Sequence, residues 1–275
     1  ARLTPDGMLE LRIGAHSHGQ GLETTLAQVA NEVLGIDPDH VRLTHGDTAL
    51  TPYSTGTWGS RCAVMWGGAV ASSCRLLGER VKRIAAHMLE SAADQLQLRD
   101  GAVCAVGSDR SVTLGEVAHL YYRQPQRLPA DMEPRGLEAV TAYKAKVDTG
   151  TFSYACHAVA VALDTTLGQV ELLDYVIVED GGTLINPMIV DGQIYGGTAQ
   201  GIGTALYEEM PYDDAGQPLA STLAEYMLPG ATEVPSLRVV HMQTPSPYTE
   251  FGQKGIGEGG AIAPPGAIVN AINDA

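Results

Sequence analysis

The alternation of apolar and polar positions near the start of the chain predicts two strands on either side of a helix. Residues 8–15 alternate as a half-buried strand does, and residues 41–45 repeat that pattern. A glycine-containing turn at 19–21 leads into a helix predicted from about residue 24 to residue 34, and Gly35 ends it. The chain therefore opens with a strand, a helix and a second strand.

A long amphipathic helix is predicted next, after a loop at 46–60 that is rich in Gly, Thr and Pro. Its apolar positions recur at steps of four and three residues, which keeps them on one helical face: Val70, Cys74, Leu77, Val81, Ile84 and Met88. Residues 99–150 are mixed and polar-rich. Within them a helix is predicted at 115–121 and a linker-like stretch near 124–136.

The second half of the chain repeats this scheme of strands followed by helices. Strands are predicted at 154–164 and 169–179, joined by a turn at 165–168. Pro187 suits the first turn of a helix, which is predicted over about 187–209. The remaining predicted elements are a polar hairpin-like segment, a strand at 237–242 and a final helix that begins near Pro264 and Pro265.

Strands and helices alternate without the compact spacing of a Rossmann sheet, so the predicted fold class is α+β. We expect two sequential lobes of mixed or antiparallel sheet packed with helices, at residues 1–135 and 136–275. The first residue is Ala, and the last predicted helix runs to the end of the sequence. We therefore expect a piece of a longer polypeptide, truncated at both ends.

Composition and charge exclude several classes of partner. A formal charge of −15 over 275 residues, with no basic run, argues against nucleic acid. The sequence contains no apolar stretch long enough to cross a membrane and no signal peptide. The four cysteines are widely spaced and match no zinc or iron–sulfur pattern, so a reduced, cytoplasmic setting is expected. Of these, Cys74 and Cys156 are predicted to be small buried hydrophobes.

Residues 252–265 place one carboxylate, Glu258, in a glycine-rich loop just ahead of the final helix. Glycine is used where backbone approaches another group closely, so the loop suggests a segment wrapped against a ligand. A flexible turn with a solvated acid is the alternative. Gly255 to Gly260 also match a dinucleotide fingerprint, but no strand directly precedes them and no acid follows at the required spacing. The pair His16 and His18 has no third metal ligand nearby.

Three further loops share the character of the Glu258 loop: residues 18–25, 56–61 and 186–193. Three of the four loops put backbone N–H groups at or near a predicted helix N-terminus, an arrangement that suits an anion. Each also offers an amide, a hydroxyl or a guanidinium. In an acidic protein, this combination indicates a large anionic ligand with many hydrogen-bond acceptors.

These four loops, in this order, resemble the C-terminal half of the molybdenum-cofactor subunit of the xanthine dehydrogenase/aldehyde oxidase family. Within that family, carbon monoxide dehydrogenase-like large subunits are the most similar. The resemblance covers essentially the whole chain and is strongest at 19–25, 56–61, 182–203 and 254–265. It implies the molybdopterin-binding fold of that family.

The resemblance also implies roles for individual residues. Glu258 would be the general base beside molybdenum, and Gln20 would hydrogen-bond an oxo ligand of the metal. The metal would be held by the dithiolene of the pterin, with no protein side chain as ligand. The residues matching loops that hold the pterin and its phosphate or nucleotide tail are Gly19, Gly21, Thr57, Gly59, Ser60, Arg61, Asp191, Gln193, Lys254, Gly255 and Gly257.

The implied activity is oxidative hydroxylation of an aldehyde or an N-heterocyclic carbon in a small molecule, with water as the oxygen source. Electrons would leave through [2Fe–2S] and FAD modules on partner domains or subunits. The remaining half of the molybdenum subunit would complete the site, so the chain alone is expected to be inactive. The pterin tail is either a mononucleotide or a dinucleotide, such as the cytosine form.

Three questions stay open at this point. Carbon monoxide or a purine could be the substrate, although the active-site cysteine loop of carbon monoxide dehydrogenases would lie upstream of this sequence. A non-catalytic cofactor-binding or assembly module is a different class of function. Trp58 could line the substrate pocket or simply pack against its neighbours.

Overall fold

The computed structural model describes residues 1–132, 136–147 and 150–275. The chain separates into two compact units, Ala1–Asp148 and Thr149–Ala275.

The first unit opens with a three-stranded mixed sheet. Its elements are β1 (Arg2–Leu3), β2 (Leu9–Arg12), helix α1 (Leu22–Leu34) and β3 (Val41–Thr44). Strand β2 pairs antiparallel with β1 and parallel with β3, and the parallel connection passes through α1. Together, β2, α1 and β3 form a βαβ crossover, which was not predicted from the sequence.

The long predicted helix is confirmed as α2 (Cys62–Leu89), and its apolar face is buried as expected. After it comes an antiparallel sheet that the sequence analysis missed, formed by β4 (Leu96–Arg99), β5 (Ala102–Ala105) and β6 (Ser111–Thr113). Helix α3 (Leu114–Arg123) then begins with a capping box between Thr113 and Glu116. A 3₁₀ turn, Pro125–Arg127, lies in the predicted linker-like stretch, whose residues 133–135 are outside the described part of the chain.

The segment that begins at residue 136 packs against the first unit, although the sequence analysis assigned it to the second lobe. The Leu3 N–H donates to the Leu137 carbonyl at 2.9 Å, and the Ala139 N–H donates to the Ala1 carbonyl at 2.8 Å. The hydroxyls of Ser73, on α2, and Thr141 are 2.7 Å apart.

The second unit is built on a mixed sheet of β7 (Tyr154–Asp164), β8 (Gln169–Asp180) and β9 (Leu237–Met242). Strands β7 and β8 form the predicted antiparallel hairpin, and β9 is parallel to β8. Its helices are α4 (Pro187–Leu206), α5 (Gly259–Ile262) and α6 (Pro264–Asp274). The buried core consists of Tyr175, Ile177, Val190, Ile194, Ile202 and Ile268.

Each unit combines small mixed or antiparallel sheets with helices, which confirms the α+β prediction. Cys74 is fully buried as predicted, but the prediction for Cys156 is wrong, because its position on β7 is exposed. Within the described ranges, no helix is both long and apolar enough to cross a membrane.

Candidate functional site

In the first unit, the loop that carries Gln20 and the loop that carries Thr57 meet at the backbone of His16. The Thr57 hydroxyl accepts from the His16 N–H at 3.0 Å and donates to the His16 carbonyl at 2.6 Å. The Gln20 amide nitrogen donates to the same carbonyl at 3.5 Å, and its oxygen accepts from the His18 N–H. Two of the four predicted loops therefore lie side by side.

Arg61 is held in place at the start of α2. Its guanidinium carbon lies 5.1 Å from the ring centroids of both Trp58 and Trp66, and its Nη1 donates to the Thr55 hydroxyl at 2.5 Å. Trp66 is buried, whereas Trp58 is 61% exposed. Cation–π contacts on two sides fix a planar fork that can pair with a phosphate. Trp58 thus contacts Arg61 while most of its ring stays exposed.

The same two loops leave space for a ligand. The N-cap residue of α1 is Gly21, which has φ 72° and no side chain, and the side chain of Arg61, the N-cap residue of α2, makes no cap hydrogen bond. Gly19, Gly56 and Gly59 have positive φ, and a Cβ added at any of them would meet no protein atom within 4 Å. Two helix N-termini beside open, glycine-lined backbone fit an anionic group with many acceptors, as the phosphate tail of a pterin has.

Helix α4 is capped by its own N-cap residue. The Asn186 side chain accepts from the Ile189 N–H at 3.1 Å. This cap uses one of the donors that the sequence prediction offered to an anion. Asp191 and Gln193, the predicted site residues of this helix, are partly buried on its first turns.

In the second unit, two backbone hydrogen bonds join the start of the Glu258 loop to the residues that follow β8. The Lys254 N–H donates to the Gly181 carbonyl at 2.8 Å, and the Thr183 N–H donates to the Gly252 carbonyl at 3.1 Å. The Lys254 ammonium lies 3.1 Å from Asp180 Oδ1, with both side chains buried. The Lys254 charge, which the sequence analysis assigned to the cofactor, is thus directed at a carboxylate of this chain.

Glu258 itself is exposed and immediately precedes α5, while its neighbours on both sides are anchored. Gly255 donates its N–H to the Thr151 hydroxyl at 3.4 Å, and Gly257 is exposed. On the far side, the buried Thr198 hydroxyl donates to the Gly260 carbonyl at 3.3 Å. Because Gly260 lies against Ile194, the loop comes next to the turn of α4 that contains Gln193.

Asp191 belongs to a partly buried chain of charges that joins α4 to the sheet. His241 Nδ1 lies 2.7 Å from Glu179 Oε1, and His241 Nε2 lies 2.8 Å from Asp191 Oδ1. Two ionised carboxylates can both accept from His241 only when the ring is an imidazolium, although burial raises the pKa of Glu179. Burial alone would lower the pKa of His241, but hydrogen bonds and charge from Asp191 and Glu179 outweigh it and raise this pKa.

We expect the stabilising effect of His241 to depend on pH. Because its folded pKa lies above the unfolded value of about 6.5, the contribution is complete below that pH and is lost as pH rises through the folded pKa. Replacing His241 with Gln leaves Glu179 buried without a charged partner, which typically costs about 3–5 kcal/mol. Hydrogen exchange of β9 at pH 6 and pH 9 measures the effect. If His241→Gln lowered the free energy of unfolding equally at both pH values, the assignment of His241 as an imidazolium would be contradicted.

The sequence analysis missed Glu179, Asp180, Thr198 and His241. The signal available for the first two was a pair of acids at the end of an apolar strand, since buried carboxylates require charged or hydrogen-bonding partners. Among the residues that the structure describes, no group of three His, Cys, Asp or Glu side chains could hold a metal ion.

Comparison with known proteins identifies the family. The model of the molybdopterin cofactor-binding domain matches residues 1–235, and this chain belongs to that family. The nicotine 6-hydroxylase large subunit of Paenarthrobacter nicotinovorans is 39% identical over 277 residues, which cover 100% of this chain and 33% of that protein. The carbon monoxide dehydrogenase large chain of Hydrogenophaga pseudoflava is 36% identical over 275 residues, covering 100% of this chain and 34% of that protein.

A solved structure agrees with these sequence relatives. Quinoline 2-oxidoreductase from Pseudomonas putida 86 superposes with a TM-score of 0.90 at 38% identity, covering 99% of this chain and 34% of that one. The resemblance to the molybdenum-cofactor subunits is therefore confirmed. The chain spans about a third of the length of the relatives it matches.

Proposed function

We propose that this chain is the molybdenum-cofactor-binding part of a molybdenum hydroxylase that acts on an aldehyde or an N-heterocyclic carbon. In such a reaction a C–H bond becomes C–OH, water supplies the oxygen, and two electrons and two protons are released. Two relatives carry the names of N-heterocycles, nicotine and quinoline, which favours an N-heterocyclic substrate.

One observation carries the proposal beyond family membership: the glycine-lined loops that lead into α1 and α2 lie side by side in the first unit. Thr57 joins them through His16, and Arg61 adds a fixed guanidinium. We assign the phosphate tail of the pterin to these donors, with Gly19, Gly21, Gly59 and Ser60 on the same two loops. Two helix starts suit two phosphates, which supports a dinucleotide tail such as the cytosine form.

Molybdopterin, when bound, supplies the metal that accepts the two electrons. The chain's own residues supply orientation and proton transfer. Glu258 takes a proton as general base, and Gln20 donates a hydrogen bond from its amide without adding charge. Asp191, Gln193, Gly255 and Gly257 orient the pterin from α4 and the Glu258 loop.

The proposed partners are suggested by the length and the names of the relatives. The relatives are described as a large subunit and a large chain, which indicates assemblies with further subunits in those proteins. We propose that the remaining part of the molybdenum subunit completes the site, and that [2Fe–2S] and FAD modules receive the electrons. Four free cysteines fit a cytoplasmic location.

Metal and cofactor analysis of the complete enzyme tests the proposal. We expect molybdenum and pterin in equal amounts, release of a cytidine nucleotide on acid hydrolysis, and reduction of the iron–sulfur and flavin centres by an N-heterocycle or aldehyde. Bound cofactor without reduction by any such substrate would favour a non-catalytic module. The absence of molybdenum and pterin would overturn the proposal.

A further inference from the structure

The carboxylate of Asp180 ties three segments of the second unit together. Its Oδ1 accepts from the Lys254 ammonium at 3.1 Å and from the Gly182 N–H at 2.8 Å. Its Oδ2 accepts from the Thr244 N–H at 3.0 Å. Asp180 therefore joins the end of β8, the segment after β9 and the Glu258 loop, and its side chain is completely buried.

Contacts along the whole Lys254 side chain, from its aliphatic stem to its ammonium, hold it in this position. Its ammonium lies 5.0 Å from the ring centroid of Tyr154, and its side chain is only 6% exposed. Its stem crosses the backbone of Gly182, where an added Cβ would come within 3.0 Å of the Lys254 Cγ. A buried ammonium requires a counter-charge, and Asp180 supplies it within the same unit.

The loop between Lys254 and Gly260 has little stiffness of its own. Glycine loses more conformational freedom on ordering than any other residue, and this loop contains several glycines. Its order comes from contacts at its two ends. Ile256 packs with the hydrophobic core and against Gly181, while Gly260 sits against the Ile194 carbonyl and accepts from Thr198.

We propose that Asp180 and Lys254 are positioning residues, whose buried ion pair fixes the glycine loop so that Glu258 presents its carboxylate at one place. The inference rests on the proposed role of Glu258. It also changes the role of Lys254 from a cofactor ligand to an anchor. A general base must keep hydrogen-bond reach to its proton, and a displacement of about 1 Å can lower a rate about 100-fold.

Substitutions in the complete enzyme test this proposal. Lys254→Met keeps the length of the side chain but removes its charge, whereas Lys254→Arg retains a cation for Asp180. We expect Lys254→Met to speed hydrogen exchange in 252–260 at least about 10-fold and to lower kcat about 10- to 100-fold. KM and molybdenum content should stay near wild type. In the Lys254→Arg enzyme, kcat and the hydrogen exchange of 252–260 should both be close to wild type.

Two controls separate anchoring from general damage. Arg238→Met breaks an exposed ion pair with Asp174 on the same sheet, at side-chain exposures of 65% and 50%, and should change neither readout. If Lys254→Met does not fold, Asp180→Asn combined with Lys254→Met removes both charges together. That double variant should fold and show the same fast exchange in 252–260.

Unchanged exchange in 252–260 for Lys254→Met would overturn the inference. Loss of molybdenum and pterin with unchanged exchange would instead make Lys254 a cofactor ligand and also overturn it. These results are distinct from failure of the proposed function, because hydrogen exchange of the loop does not depend on the chemistry of Glu258. A fully active Glu258→Gln enzyme would remove the general base but leave the exchange test of the anchor intact.

Discussion

Replacing Glu258 with Gln in the complete enzyme is expected to lower kcat by about 10²- to 10⁴-fold, the usual contribution of a positioned general base. Glutamine has the same shape as glutamate but cannot take up a proton at neutral pH. Because Glu258 is exposed at the tip of an anchored loop, the substitution should leave the fold intact. Steady-state kinetics with an N-heterocycle, together with molybdenum analysis, measures both effects.

Glu171→Gln is a matched control for this experiment, since Glu171 is an exposed acid on β8. It should keep wild-type kcat and metal content. An active Glu258→Gln enzyme would contradict the general-base role. A variant that loses molybdenum in proportion to its activity would show that Glu258 retains the cofactor instead of moving a proton.

Gly182→Ala should destabilise the second unit where the Glu258 loop meets the end of β8. Gly182 has φ 67°, and an added Cβ would lie 2.2 Å from the Gly252 carbonyl oxygen, a backbone atom that cannot turn aside. Left-handed strain contributes about 1–2 kcal/mol. Overpacking contributes about 1–3 kcal/mol more, giving an expected loss of roughly 2–5 kcal/mol. Hydrogen exchange of β8 and of residues 252–260 measures the loss locally.

Gly168→Ala provides the matched control for Gly182→Ala. Gly168 has φ 70° but faces open space, so alanine there meets no atom within 4 Å. Only the backbone term of about 1–2 kcal/mol should remain. Equal destabilisation by the two substitutions would show that the close approach of Gly252 to Gly182 adds nothing to the loss of stability.

The sequence predicted the second unit better than the first. Strand 154–164 matches β7 and strand 237–242 matches β9, because long alternating runs bounded by turns have few alternatives. The sheet of β4, β5 and β6 was missed because its strands of three or four residues lie in a mixed, polar-rich part of the sequence. Such short segments show too little periodicity, and their pairing depends on a turn at Asp100, which has φ 52°.

The glycine-rich loops of the candidate site could be predicted from the sequence. The ion pairs between residues far apart in the sequence could not. The loops around Gln20, Thr57 and Glu258 were identified from glycines and helix starts. The pairing of Asp180 with Lys254 spans 74 positions, and the pairing of Glu179 with His241 spans 62. Only the parallel pairing of β8 with β9 and the return of the loop bring these side chains together, and neither follows from local pattern.

We propose that the anchored loop presents Glu258 to a pterin-bound molybdenum. Anomalous scattering at the molybdenum absorption edge, from crystals of the complete enzyme, tests this most directly. We expect one molybdenum peak with a ligand atom of the metal about 2.6–3.2 Å from the Glu258 carboxylate, the reach of a general base. A molybdenum peak remote from Glu258, with this carboxylate in solvent, would contradict it.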